Sequence, residues 1–280
     1  MLTLASDFGS PYPAAMRAAI RQHSDCEILD VAHDFPRQDV RTAAFWLREV
    51  LPYAPPPAVH CAVVDPGVGS DRAAIALRVG EHALIAPDNG LVFPAARRLR
   101  DSMPVAGSGL RGVGGTDGNG ESSAADAEPP AIEVFEIVVE DPASSTFHGR
   151  DVFAPAAALI HEQGVESMEQ CSFLESIDEF VDLGFPEPER RVDGADGEVV
   201  VIDEFGNAIT NVPGDLLDGR DRIQIDGTVW PVADHYAAVD AGDGLVTVGS
   251  HGNVELAVNQ GRGADRFDVA VGDAVALRFD

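Results

Sequence analysis

The run Ala58-Val59-His60-Cys61-Ala62-Val63-Val64, ended at once by Asp65-Pro66-Gly67-Val68-Gly69-Ser70-Asp71-Arg72, constrains the fold of this chain more than any other stretch. A short, largely apolar and partly β-branched segment predicts a buried strand, and Pro66, Gly67 and Gly69 forbid its continuation. Asp65 therefore stands at the carboxyl end of a strand. Ligands of open α/β sheets bind in the crevice outside those ends. Asp65 reads either as a carboxylate placed for chemistry or as the cap of its own turn.

The segments around this strand alternate in type. Leu2 to Ala5, Glu27 to Val31, 74–79, 82–86 and Ile132 to Val139 read as strands; Tyr12 to Gln22, Val40 to Val50 and Phe153 to His161 read as helices. The apolar side of the second helix comprises Ala43, Ala44, Leu47 and Leu51, at helical spacing, and Pro52, Pro55, Pro56 and Pro57 end it. Pro87-Asp88-Asn89-Gly90 is a turn that opens a further helix. Alternation of this kind implies an α/β fold with a mainly parallel sheet. Between 106 and 130 the chain turns to Gly, Ser, Asp and Ala, the composition of a flexible surface insertion. Beyond the Pro- and charge-rich link at 186–197, short β-like runs separated by Gly and Asp predict a small all-β unit. These runs are Val199 to Ile202, Arg222 to Ile225, Leu245 to Gly249, Val254 to Val258 and Ala274 to Phe279. The expected organisation is an N-terminal three-layer α/β domain over 1–188 and a C-terminal all-β barrel domain over 189–280.

Charge narrows the function. Asp and Glu number 47 against 19 basic residues, a formal charge of −28, and every basic residue is Arg. Such a chain repels nucleic acid and anionic membrane surfaces. Without lysine there is no Schiff-base chemistry on pyridoxal phosphate and no P-loop. The acids are spread along the chain, which fits a salt-adapted cytoplasm, where screening over about 3 Å at 1 M salt quiets self-repulsion. Met1 to Asp7 has no basic segment before its apolar run and does not read as a signal peptide, and no stretch approaches the roughly 18 apolar residues of a membrane span. Cys26, Cys61 and Cys171 are odd in number and far apart, with neither zinc nor disulfide spacing.

Four loops join polar side chains to glycine at the ends of elements: Asp7-Phe8-Gly9, Asp65 to Gly69 with Arg72, Phe147-His148-Gly149-Arg150-Asp151, and Asp203-Glu204-Phe205-Gly206-Asn207 with Thr210-Asn211. In this order, and with Gln38 to Arg41, Ala86 to Leu91, Phe153 to Ala157, Gly249-Ser250 and Glu255 to Asn259, the chain resembles the S-adenosylmethionine hydroxide adenosyltransferases. These are relatives of enzymes that use fluoride or chloride in place of water. The resemblance covers nearly the whole chain. It implies hydrolysis of S-adenosylmethionine to adenosine and methionine without metal or cofactor, in a homotrimer whose sites lie between the N-terminal domain of one subunit and the C-terminal domain of the next.

By the same resemblance the water-activating residues are Asp65, Arg72 and His148. His148 and Arg72 would hold the water, and Asp65 would orient the basic groups or take the proton. Substrate binding falls on Asp7 for the ribose hydroxyls, Phe205 and Asn207 for adenine, and Asp203 and Ser250 for the methionine end, with Phe147 and Glu255 also in contact. Halide-using relatives lack the Asp at position 65 and carry Ser where this chain has Gly149, which favours water as the nucleophile. The competing readings are a halide-dependent transferase, a non-catalytic S-adenosylmethionine or adenosine sensor, and a metal hydrolase built on Asp7, Asp65, Asp88 and His148. The last lacks the spacings that metal sites show.

Overall fold

A computed structural model describes residues 1–102, 129–139 and 146–279, so the expected 106–130 insertion lies, but for its last two residues, outside the described part. The chain divides into two compact units, Met1–Leu183 and Gly184–Asp280, a boundary a few residues ahead of the expected 188/189 division.

Unit 1 holds strands β1 (Leu2–Ser6), β2 (Ile28–Ala32), β3 (Ala58–Val63), β4 (Ala74–Val79), β5 (His82–Pro87), β6 (Ile132–Ile137) and β7 (Leu174–Ser176), with helices α1 (Tyr12–Arg21), α2 (Val40–Val50), α3 (Phe93–Ser102) and α4 (Ala154–Gln163). The strands form one sheet in the order β2-β1-β3-β5-β4-β6-β7. The sheet is mixed rather than mainly parallel. β2, β1, β3 and β5 run parallel to one another, whereas β4 pairs antiparallel with β5 and β6, and β6 with β7. The cause lies in two residues: β4 and β5 are joined by Gly80-Glu81, with Gly80 at φ +54°. A connection that short makes a hairpin and cannot make a parallel crossover.

Alternation along the strands sorts the apolar side chains onto two faces. Leu2, Leu4, Val59, Cys61, Val63 and Ile85 pack with Met16 and Ile20 of α1 and Ala157 and Ile160 of α4 in one core. On the opposite face α2 packs against α3, and α3 against β4 and β6. Asp39 starts α2 by accepting from the Thr42 backbone N–H at 3.0 Å and the Thr42 hydroxyl at 2.6 Å. Beyond β7 the chain runs back along α3. Phe180 stacks on Phe93 with ring centroids 4.8 Å apart, and Arg97 donates to the Leu183 carbonyl at 2.8 Å and to the Asp182 carboxylate.

Unit 2 is antiparallel, with β8 (Glu189–Arg191), β9 (Gly194–Ile202), β10 (Ala208–Pro213), β11 (Arg222–Ile225), β12 (Thr228–Pro231), β13 (Gly244–Val248), β14 (Asn253–Val258) and β15 (Ala274–Arg278), and the short helix α5 (Gly263–Phe267). The order β12-β11-β15-β9-β10-β14-β13 curls so far that a bridge between Val232 and Val246 links its two ends, giving a nearly closed barrel-like sheet. Its interior holds Val199, Val212, Ile223, Trp230, Val246, Leu256 and Leu277. Strands β8, β10 and β12 were not among the runs expected from sequence, and β8 and the start of β9 fall within the expected 186–197 link. β12 does have a sequence signal, since Asp226-Gly227, both at positive φ, forms the two-residue turn that makes a hairpin of β11 and β12.

Candidate active site

The loops that follow β1 and β3 and the loop that leads into α4 surround one cleft of about 760 Å³, whose wall includes Asp7, Phe8, Tyr12, Gln38, Asp65, Val68, Phe147 and His148. Asp7 follows β1 and is nearly buried at 8% exposure. Its Oδ2 accepts the Gln38 backbone N–H at 2.7 Å, and Gln38 takes a left-handed conformation, φ +63°, to deliver it. The preceding residue, Ser6, is fully buried and shares a hydrogen bond of 2.7 Å with His33 Nδ1. His33 Nε2 lies 3.0 Å from Asp30 Oδ1, and Arg17 Nη1 reaches both oxygens of Asp30 at 2.6 and 2.7 Å. Burial works against the charge on Asp30, but the hydrogen bonds from His33 and Arg17 outweigh it and hold the carboxyl below its usual range. His33 also steadies the loop through its carbonyl, which accepts the Gly9 N–H at 2.8 Å. Sequence reasoning passed over this Arg17-Asp30-His33-Ser6 chain; the available signal was an Asp and a His three apart at the end of a strand.

The second loop follows β3. Asp65 Oδ1 accepts the Gly67 backbone N–H at 2.9 Å and lies 3.2 Å from Arg72 Nε. The Arg72 guanidinium lies against Gly67 so closely that a Cβ there would stand 2.5 Å from Nη2. Asp65 thus caps its own turn while carrying an ion-paired carboxylate to the cleft. Arg72 is not on the cleft wall, and its Nε is buried without a hydrogen-bond partner among the described residues. Arg72 Nη1 donates to the Asp88 carbonyl at 3.3 Å, and Asn89 Nδ2 donates to the Val64 carbonyl at 2.8 Å. Asp88 Oδ1 in turn accepts the Val181 N–H at 2.8 Å, and Gly90 sits so tightly on Leu183 that a Cβ would come within 2.5 Å of it.

The third loop leads into α4 through a π-helical turn over Gly149–Phe153, which precedes the helix expected from Phe153 to His161 and overlaps it only at Phe153. His148 precedes this turn and lines the cleft. Phe147 packs edge to face with Phe8 at 5.9 Å and Tyr12 at 5.4 Å between centroids. Arg150 lies 5.1 Å from the Phe147 ring and pairs with Asp151 at 2.6 Å, which draws the Asp151 carboxyl well below its usual range. A Cβ on Gly149 would stand 3.0 Å from Phe8 and 3.2 Å from Phe147. Asp7, Asp65, Phe147 and His148 therefore share one wall, with Arg72 attached to it through Asp65.

The remaining sequence-predicted residues belong to unit 2. Asp203, Phe205 and Asn207 form one turn between β9 and β10. Asp203 Oδ1 accepts the Asn207 N–H at 2.8 Å and Oδ2 accepts Asn207 Nδ2 at 3.0 Å. Phe205 at the tip is 80% exposed. Ser250 is exposed between β13 and β14, whereas Glu255 is buried and accepts the Tyr236 hydroxyl at 2.7 Å. Burial and that bond push the Tyr236 phenol well above its ordinary value. Among the described residues no group of three or more His, Cys, Asp or Glu is arranged to hold a metal ion, and the three cysteines are free and buried.

Family models described as the N-terminal and C-terminal domains of SAM hydroxide adenosyltransferase match residues 2–107 and 197–276. The chain belongs to the SAM hydroxide adenosyltransferase family. Its similarity to other proteins runs nearly end to end. It is 34% identical over 280 residues, 97% of either chain, to a protein of Thermus thermophilus named (R)-S-adenosyl-L-methionine hydrolase. It is 36% identical to one of the same name from Salinispora tropica, over 89% of this chain and 85% of the relative. Among solved structures, an uncharacterized conserved protein of Thermotoga maritima superposes with a TM-score of 0.76 at 28% identity, covering 99% of this chain and all of that one. A conserved hypothetical protein of Thermus thermophilus gives 0.70 at 32%, over 99% and 98%. Of the cleft wall, Asp7, Phe8, Gln38, Asp65 and Val68 fall inside the segment matched to the SAM hydroxide adenosyltransferase N-terminal domain, while Phe147 and His148 lie between the two matched segments.

Proposed function

We propose that this chain hydrolyses S-adenosyl-L-methionine to adenosine and L-methionine. The observation that carries the reading is the single cleft walled by Asp7, Asp65 and His148, with Asp65 ion-paired to Arg72. A sulfonium departs from the ribose C5′ as a neutral thioether and needs no acid. Catalysis then reduces to aligning one water for in-line attack and accepting its proton. The new bond forms between the water oxygen and C5′, the C5′–S bond breaks with its electron pair going to sulfur, and the proton passes to Asp65 or His148. Arg72 aims Asp65 through the ion pair between them. Asp7 has one carboxylate oxygen committed to the Gln38 backbone, and the other would meet the ribose diol.

In this reading the unit 2 residues bind the ends of the substrate. Phe205 and Asn207 meet adenine; Asp203, which also holds Asn207, and Ser250 serve the methionine end; and Glu255 is a further contact. The active species is a homotrimer with its sites formed between subunits, and neither metal nor cofactor takes part. Family membership and the relatives' names support the substrate and the reaction; the residue roles, the trimer and the cofactor-free chemistry follow from the resemblance read in the sequence.

Incubation with S-adenosylmethionine in the presence of a chelator, followed by chromatography, should yield adenosine and methionine. A chloro- or fluoro-adenosine product on adding halide would favour the halogenating reaction, and binding without any product a sensor. Asp65→Ala, Arg72→Ala and His148→Ala should each lower kcat by about a hundredfold or more while S-adenosylmethionine still binds by calorimetry. Full activity in all three overturns the assignment. Sedimentation velocity should report three times the chain mass; a monomer overturns the trimer.

A further inference from the structure

The turn after β5 touches the Asp65–Arg72 pair from two sides. Asn89, a buried side chain, donates through Nδ2 to the Val64 carbonyl at 2.8 Å and accepts the Leu91 N–H on Oδ1 at 3.1 Å. The Val64 carbonyl belongs to the peptide whose nitrogen is that of Asp65, so this bond sets the plane from which the Asp65 side chain departs. One residue earlier, the Asp88 carbonyl receives Arg72 Nη1 at 3.3 Å. Asn89 uses both ends of its amide on backbone groups, as a polar side chain at this depth must unless it is to be left unsatisfied, and it is not on the cleft wall.

We infer that Asn89 is a positioning residue: it fixes the direction in which Asp65 enters the cleft, and through the same turn the seat of Arg72. The inference rests on the reading of Asp65 as a group acting on the attacking water. A purely structural role would be confined to the bond with Leu91, which opens α3. Two substitutions separate the roles. Asn89→Asp keeps an acceptor for the Leu91 N–H but cannot donate to the Val64 carbonyl. Asn89→Ala loses both bonds without adding charge next to Asp65.

If Asn89 positions Asp65, both variants lose about ten- to a hundredfold in kcat, the scale on which a misplacement of about 1 Å acts. The KM for S-adenosylmethionine stays within about threefold, and Asn89→Asp melts within a few degrees of the parent. Hydrogen exchange supplies a readout that needs no turnover. In the parent the Gly67 amide is held by Asp65 Oδ1 and the Ser70 amide by the Gly67 carbonyl, and the peptide spanning 64–72 should exchange at least about tenfold faster in both variants. Unchanged exchange in that peptide, a kcat within twofold of the parent in both variants, or kcat and KM lost only in step with the unfolded fraction overturns the inference. Should the parent itself not consume S-adenosylmethionine, the hydrolase reading fails on its own, and the exchange measurement alone decides for or against Asn89.

Discussion

His60 sits in the middle of β3 with no exposed surface, between the Thr3 hydroxyl at 2.9 Å on Nδ1 and His82 Nδ1 at 3.0 Å on Nε2. Burial and the neighbouring His82 push its pKa down to about 3, and burial lowers that of His82 as well. Both rings are therefore neutral in the folded protein at pH values where the unfolded chain already binds protons. Stability is full above the ordinary histidine value of about 6.5 and falls as pH drops below it, by at most about 1.4 kcal/mol per pH unit for each ring. The denaturation midpoint should decline between about pH 6.5 and 4.5, before the paired carboxylates of Asp30 and Asp151 begin to protonate. In His60→Gln that slope should shrink by about half; an unchanged slope would show that other groups set it. Cys61, the next residue in the strand, is a core hydrophobe whose buried thiol is pushed up to about 12, which removes it from thiolate chemistry at neutral pH.

The turn from Asp65 to Arg72 depends on one missing side chain. A methyl group on Gly67 would meet Arg72 Nη2 at 2.5 Å and Nε at 2.8 Å, so Gly67→Ala must drive the guanidinium off Asp65. Because the residue lies in a surface turn, turnover should drop by about tenfold or more while the melting temperature moves by only a few degrees. Retained turnover in Gly67→Ala would mean that the ion pair is dispensable. This turn also marks how far sequence reasoning reaches. A strand end, a glycine and a carboxylate are visible locally, and the run 58–64 could be read because a buried strand is uniformly apolar. The antiparallel half of the sheet was not foreseen, because the apolar run of β4 resembles those of β3 and β5; the shortness of the Gly80-Glu81 connection and the two glutamates within β6 are the signals that tell that half apart. The Ser6-His33 contact and the anchoring of Asn89 on Val64 join residues 27 and 25 positions apart. Pairings of that kind are set by strand order, which no single segment encodes.

The molecule carries 47 acidic side chains and only 19 arginines to offset them. Many of those arginines are engaged locally, as Arg78 is with Glu133 and Glu169 and Arg191 with Asp196, and the excess acid remains as mutual repulsion. Added salt screens such pairs and repulsions alike, and with so large an excess of one sign the relief of repulsion dominates. The denaturation midpoint should therefore rise between about 0.1 and 1 M KCl; a fall would show that the ion pairs outweigh the net charge. Among the described residues no helix is long and apolar enough to cross a membrane. The chain leaves unit 1 along a strap, Phe180 to Leu183, fastened to Phe93, Asp88, Gly90 and Arg97. Mechanically, the strap lies in series with the site. A pull on the chain beyond Gly184 would load the Asp88-Asn89 turn before it reached the sheet, and the first bonds to feel the force would include those that aim Asp65 and Arg72.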